Sequence, residues 1–382
     1  MNAARPHAIR PARRLIAAAA ALPLLIGSLA ACGYGSDADD DGSSASADTP
    51  VSGESLSTDE VAIGYFANIT HATAVVGLRE DGGLIRQELE SHGTEPAIQT
   101  FNAGPAVIEA LNAGSIDVAF IGPNPAINGF AQSGGESLRI VSGAASGGAS
   151  LVVNPDEIQS LDDLAGKDIA TPQLGNTQDV ALLSYLADNG YEVDAEAGTG
   201  DVSVLRIANA DIPAAFDGGD IDGAWVPEPT ASKLVAGGAE TLLDEGELWE
   251  NGQYVTTHVI ASQEFLSEHE DVVEAIIRGV VGTNGWIGEN PDEAKNTFNA
   301  ELGRLPGGSE LPAEVLDPAW EHVEFTNDPL ASTLATGAEN AVNAGLLEET
   351  DLTGIYDLSI LNRVLADEGL PEITDDAGLG VE

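Results

Sequence analysis

Short apolar runs bounded by glycine, proline and asparagine alternate with longer stretches whose apolar residues recur at helical spacing. The run at 61–66 reads as a buried strand, followed by helical stretches at 72–79 and 84–91 that Asp81, Gly82 and Gly83 separate. Strands at 97–101, 116–121, 138–141 and 150–153 follow, with helices at 105–112 and 125–132. Each of these helices opens on a proline, where a missing N–H costs nothing. The pattern then restarts. A helical turn at 161–166 leads to a strand at 168–170 and a helix over 176–189, with Val180, Leu183 and Leu186 at helical spacing. A strand at 202–207, a short helix at 212–216 and a strand at 223–226 complete the second set. A strand over 256–261 gives way to a long helix over 269–287 and further helical stretches. Such alternation predicts an α/β protein: two strand–helix sets and a helical tail. A near-repeat supports the pairing, because Ile116-Asp117 and Ile221-Asp222 each follow a glycine-terminated helix and precede an apolar strand.

The first residues have a different pattern. Arg10, Arg13 and Arg14 form a basic head, an apolar run follows from Leu15 to Ile26, and Leu29, Ala30 and Ala31 precede Cys32. This is the pattern of a secretory signal over 1–31, too short an apolar run to span a bilayer, which takes roughly 20 residues. Cys32 sits where a lipoprotein signal is cut, so lipidation there and an extracytoplasmic, membrane-anchored protein are expected. The arginine pair leaves two export routes open, the general one and the twin-arginine one. Cys32 is the only cysteine, which excludes an internal disulfide and a cysteine-based metal site. The rest of 32–58 is rich in Gly, Ser, Ala, Asp and Thr and reads as a disordered acidic tether.

Charge narrows the partners. Four of the fourteen basic residues lie in the signal and none of the 63 acids does, leaving 63 acids against ten bases, a net of −53. A phosphate backbone needs a basic face, so nucleic acid is excluded as a partner. Self-repulsion on this scale is relieved at high salt, which points to a salt-rich setting.

Five segments follow strands and open helices: 68–71, 102–105, 122–125, 173–178 and 225–229. Ligands in open α/β sheets bind beyond the carboxyl ends of strands, and helix starts present free N–H groups that suit anions. Thr70, Asn124 and Asn176 read either as caps of their own helices or as donors to a ligand. His71 is a surface residue or a ligand contact. Trp225 is a core residue or an aromatic wall. Glu228 is a solvated loop acid or an acceptor for a ligand ammonium or hydroxyl. No nucleophile elbow, phosphate-binding loop or metal-ligand spacing appears, so neither an enzyme nor a metal or cofactor is expected.

The segments Phe101-Asn-Ala-Gly-Pro105, Glu109-Ala-Leu-Asn-Ala-Gly-Ser-Ile-Asp117, Ile121-Gly-Pro-Asn-Pro125, Asp162-Asp-Leu-Ala-Gly-Lys167, Thr171-Pro-Gln-Leu-Gly-Asn-Thr-Gln178 and Trp225-Val-Pro-Glu-Pro229 resemble those of aliphatic sulfonate-binding proteins. These group with binding proteins for nitrate, taurine and thiamine-pyrimidine precursors, and the resemblance runs from about Val61 to beyond Arg278. It implies a type II periplasmic-binding fold, with lobe 1 over 59–151 plus 259–382 and lobe 2 over 152–258. Strand crossings are expected at 149–154 and 257–262, with the C-terminal helices packed on lobe 1. The implied ligand contacts are Thr70, His71, Ala103, Gly104, Asn124, Gly175, Asn176, Thr177, Gln178, Trp225 and Glu228. The implied role is a monomeric solute receptor for an ABC permease with a cytoplasmic ATPase, taking a small sulfonate or zwitterion. Nitrate, bicarbonate, a pyrimidine precursor or a sensory role are the alternatives. Many relatives carry Asp at the position of Glu228, and none of the five segments contains Lys or Arg.

Overall fold

The computed structural model describes residues 55–381; the signal, Cys32 and the tether up to residue 54 lie outside the described residues. The described chain folds into two α/β lobes, each with its own sheet. The six-stranded sheet has the order Val323–Phe325, Leu138–Gly147, Val255–Ser262, Val118–Ile121, Glu60–Phe66, Glu95–Phe101. Its last three strands are parallel, and the others join antiparallel. Val118–Ile121 is buried on both faces, as expected of a strand with helices on either side. The second sheet has five strands in the order Glu240–Asp244, Ala149–Val153, Gly223–Pro227, Asp168–Thr171, Ser203–Arg206.

The near-repeat in the sequence corresponds to one device used twice. Asp117 accepts from the Ala62 N–H at 2.8 Å, and Asp222 accepts from the Asp168 N–H at 2.9 Å. In both lobes the aspartate after the helix-ending glycine holds the neighbouring parallel strand in register. Gly114 and Gly219 have φ of +65° and +73°, a conformation that favours glycine.

The chain changes sheets at Gly147-Gly148 and again between Asp244 and Val255. Ala149–Val153 therefore lies wholly in the second sheet, and Val255–Ser262 wholly in the first, so the expected crossings at 149–154 and 257–262 fall inside strands. The turn is made by the glycine pair, with φ of +78° and +76°, rather than by the apolar run that follows it. The return passes through short 3-10 turns at Glu245–Leu248 and Glu250–Gly252. The two crossings are tied together. The Ala149 N–H donates to the Tyr254 hydroxyl at 3.0 Å, the Gly147 N–H donates to the Tyr254 carbonyl at 3.2 Å, and Trp249 stacks on the Tyr254 ring.

Of the C-terminal helices, Pro291–Arg304 and Ser359–Asp367 pack on the first lobe as expected, while two others also reach the second. Ala331–Asn343 packs on Pro123–Gln132 of the first lobe and on Thr177–Asp188 of the second, and Ala313–Glu321 packs on Thr230–Ala236 of the second. The small-residue stretch 142–147 extends the strand expected at 138–141, because the loop at 327–329 lies directly over it. A side-chain carbon at Gly143 would stand 2.3 Å from the Asp328 carbonyl oxygen.

Candidate functional site

The strand ends of the two sheets face each other across a niche of 20 Å³. The first lobe contributes Phe66, Asn68, Thr70, His71, Asn102 and Gly104; the second contributes Asn176, Thr177, Gln178, Asn209 and Pro227. Two helices begin at the niche from opposite lobes, Gly104–Asn112 and Thr177–Asp188. Asn176 caps the second, its Oδ1 accepting from the Gln178 N–H at 2.9 Å. Asp179, fully buried, accepts from the Thr171 hydroxyl, the Gly175 N–H and Arg206, and so fixes the loop that leads into this helix. The lobes approach closely here. A side-chain carbon at Gly122 would stand 2.6 Å from the Thr177 Oγ1.

His71 enters this niche uncharged. Burial pushes its pKa down to about 3, so the ring is neutral across the physiological range. Its Nδ1 accepts from the Phe66 N–H at 3.4 Å, which leaves Nε2–H as a donor. The Thr70 hydroxyl donates to Asn68 Oδ1 at 2.8 Å. Helix-start amides, a neutral imidazole N–H and side-chain amides and hydroxyls suit a small oxyanion better than a cation.

A larger cavity of 240 Å³ continues from the niche, sharing Phe66, Asn68, Asn102 and Asn209 with it. Its walls are Phe101, Leu302, Pro306 and Leu311 on one side and Ala210, Pro229, Thr230 and Lys233 on the other. The Oδ1 of Asn209 is buried without a protein partner, a polar atom that a ligand donor or a water satisfies.

Six of the residues expected from the sequence line the niche together: Thr70, His71, Gly104, Asn176, Thr177 and Gln178. Ala103 and Gly175 adjoin it in the chain without lining it. Asn124 turns aside, its Nδ2 donating to the Gly337 carbonyl at 3.0 Å. Trp225 belongs to the core of the second lobe rather than to a cavity wall. It is fully buried, edge-on to Tyr185, and its Nε1–H donates to Glu245 at 2.7 Å. Glu228 is also turned away from the cavity. Its carboxylate accepts from the Ser232 N–H and hydroxyl, and pairs with His322 Nδ1 at 2.7 Å. Neither residue lines the niche or the cavity.

Phe66, Asn68, Asn102, Asn209, Thr256 and Lys233 line the site without having been singled out in the sequence. Asn68 and Asn102 do lie in segments read as strand ends. Nothing local marks Lys233 or the loop around Pro306. Among the described residues no group of three or more His, Cys, Asp or Glu is placed to hold a metal ion.

Relatives share this architecture. Residues 54–300 match the model of the NMT1-like family. A protein of Escherichia coli (strain K12) assigned to aliphatic sulfonate binding is 31% identical over 227 residues, 58% of this chain and 65% of its own length. The taurine-binding periplasmic protein of the same organism is 27% identical over 209 residues, 54% of this chain and 62% of its own. Among solved structures, the alkanesulfonate-binding protein of Xanthomonas axonopodis pv. citri, bound to MOPS, superposes with a TM-score of 0.61 at 23% identity, covering 76% of this chain and 95% of that one. The fold is the two-lobed type II periplasmic-binding fold, and the chain belongs to the NMT1-like family.

Proposed function

We propose that this chain is the solute receptor of an ABC importer, held outside the cytoplasmic membrane by a lipid on Cys32, and that its solute is a small organic sulfonate. In this reading it acts as a monomer without a cofactor, and it delivers the solute to a permease driven by a cytoplasmic ATPase. One observation carries the reading. In a chain with 63 acids, neither the niche nor the cavity is lined by a single carboxylate. What lines the niche instead is a set of neutral donors and two helix starts, an arrangement that stabilises an anion without a counter-charge. The names of the Escherichia coli relatives, taurine-binding and aliphatic sulfonate-binding, supply the solute class. A receptor rather than an enzyme fits the site, because His71 Nδ1 is taken by a backbone N–H and no nucleophile is hydrogen-bonded to the ring.

The same lining separates sulfonates from one another. An aminosulfonate is best held by a carboxylate at its ammonium, but no carboxylate lines the niche or the cavity, and Glu228 is engaged by Ser232 and His322. The alkanesulfonates are favoured over taurine, whose ammonium would have only neutral acceptors such as Asn209 Oδ1.

Thermal shift in molar salt tests this. The panel is ethanesulfonate, butanesulfonate, taurine, sulfate, nitrate and bicarbonate. A ligand at 100 times its Kd stabilises by about 2.7 kcal/mol, well within detection. Shifts with the alkanesulfonates, and smaller ones with taurine, are expected. A shift with nitrate or bicarbonate alone would keep the receptor and discard the sulfonate. No shift with any of them would remove the reading.

A further inference from the structure

Ten lysines and arginines fall among the described residues, and nine of them are engaged within the fold. Arg86, Lys167, Arg206, Arg278, Lys295, Arg304 and Arg363 pair with carboxylates. Arg79 and Arg139 hydrogen-bond backbone carbonyls and lie over the rings of Trp286 and Phe130. The tenth is Lys233. Among the described residues its ammonium has no carboxylate, no hydrogen-bond acceptor and no aromatic face, although acids outnumber bases more than sixfold outside the signal. It stands on the helix Thr230–Ala236 and lines the 240 Å³ cavity between the lobes. Acids are so abundant that a lysine with none beside it is unusual in this chain, and this one lines the cavity.

The cavity joins the niche of donors at the two helix starts, part of its wall is apolar at Phe66, Phe101 and Leu302, and Lys233 is the only charged residue that lines it. The niche has room for one small group, so a solute whose head fills it must run its remainder through the apolar part. We propose that Lys233 is the counter-cation for a second anionic group on the solute, and that the preferred ligand is a dianion with a sulfonate at one end of a short carbon chain and a remote oxyanion, such as a carboxylate, at the other. This assignment rests on the sulfonate reading above. The surrounding walls also hold the Lys233 ammonium below the usual lysine range by desolvation, which an anionic partner would relieve.

Calorimetric titration of the full chain tests it, with 1-alkanesulfonates set against ω-sulfocarboxylates of matched length on the wild type, Lys233→Gln and Lys233→Arg. Among the described residues the Lys233 side chain makes no ion pair or hydrogen bond, so both variants are expected to melt as the wild type does. The best sulfocarboxylate should bind the wild type about tenfold or more tighter than its alkanesulfonate match, the worth of one charged hydrogen bond. Lys233→Gln should close that gap by weakening the sulfocarboxylate about tenfold more than the alkanesulfonate, and Lys233→Arg should keep it. Two results would overturn the proposal with the sulfonate reading intact. One is equal binding of both series with no effect of Lys233→Gln. The other is an equal loss for both series in Lys233→Gln, which would put the sulfonate itself on the lysine. Binding by neither series would remove the sulfonate reading and this inference together.

Discussion

At the scale of single residues, the buried titratable groups set opposite limits on stability. Burial lowers the pKa of His71 to about 3 and of His258 to about 4. Their folded pKa values lie below the unfolded one, so their contribution is present above about pH 6.5 and is lost as pH falls. Glu245 has the opposite sign. Burial raises it to about 7, so its contribution is complete below the ordinary carboxylate range and is lost as pH rises through about 7. His322, raised by its hydrogen bond to Glu228, has the same sign and fades as pH climbs through its elevated value. Chemical denaturation of Glu245→Gln should show a variant more stable than wild type at pH 9, by up to about 3 kcal/mol, with the difference gone by pH 4. The glutamine still offers Trp225 an acceptor. Trp225→Ala should cost about 3–5 kcal/mol and alter ligand affinity only through the fold. A variant with wild-type melting and lost affinity would instead put the indole in the site.

At the scale of elements, two glycines mark where helices and loops touch. Gly122→Ala would set a methyl 2.6 Å from Thr177 Oγ1 across the cleft. It should weaken solute binding about tenfold, equivalent to roughly 1.4 kcal/mol, while the ligand-free melting temperature barely moves. Gly279→Ala would set one 2.4 Å from the Ile85 Cα, where Glu270–Glu289 meets Leu84–Glu90. That contact is remote from the niche, so a loss of about 1–3 kcal/mol in denaturation, with unchanged affinity, is expected. The same elements show what the sequence could tell. Buried strands such as Val118–Ile121 and the proline-opened helices were legible from apolar runs and helix signals. So were six of the niche residues, because strand ends and helix starts are local features. Trp225 and Glu228 were not placed by sequence. The same strand-end signal marks both, but the side chains are claimed by Glu245, Ser232 and His322, contacts that no local pattern encodes. Glu240–Asp244, at the sheet edge, had no clear alternation, and Lys233 becomes notable only when every other base is accounted for.

At the scale of the molecule, charge and connection decide behaviour. With 63 acids against ten bases outside the signal, the ligand-free melting temperature should rise steadily from 0.1 to 2 M salt as repulsion is screened. A flat profile would remove the case for a salt-rich setting. The helix Ala331–Asn343 has a further consequence. It lies on helices of both lobes, and its Thr333 hydroxyl accepts from the Val255 N–H where the second crossing re-enters the first sheet. Two crossings alone would let the lobes part like the covers of a book. A third member strapped across the spine means they can part only if one face of that helix slides or lets go. How fast a solute leaves is then governed as much by a helix that never touches it as by the groups that hold it.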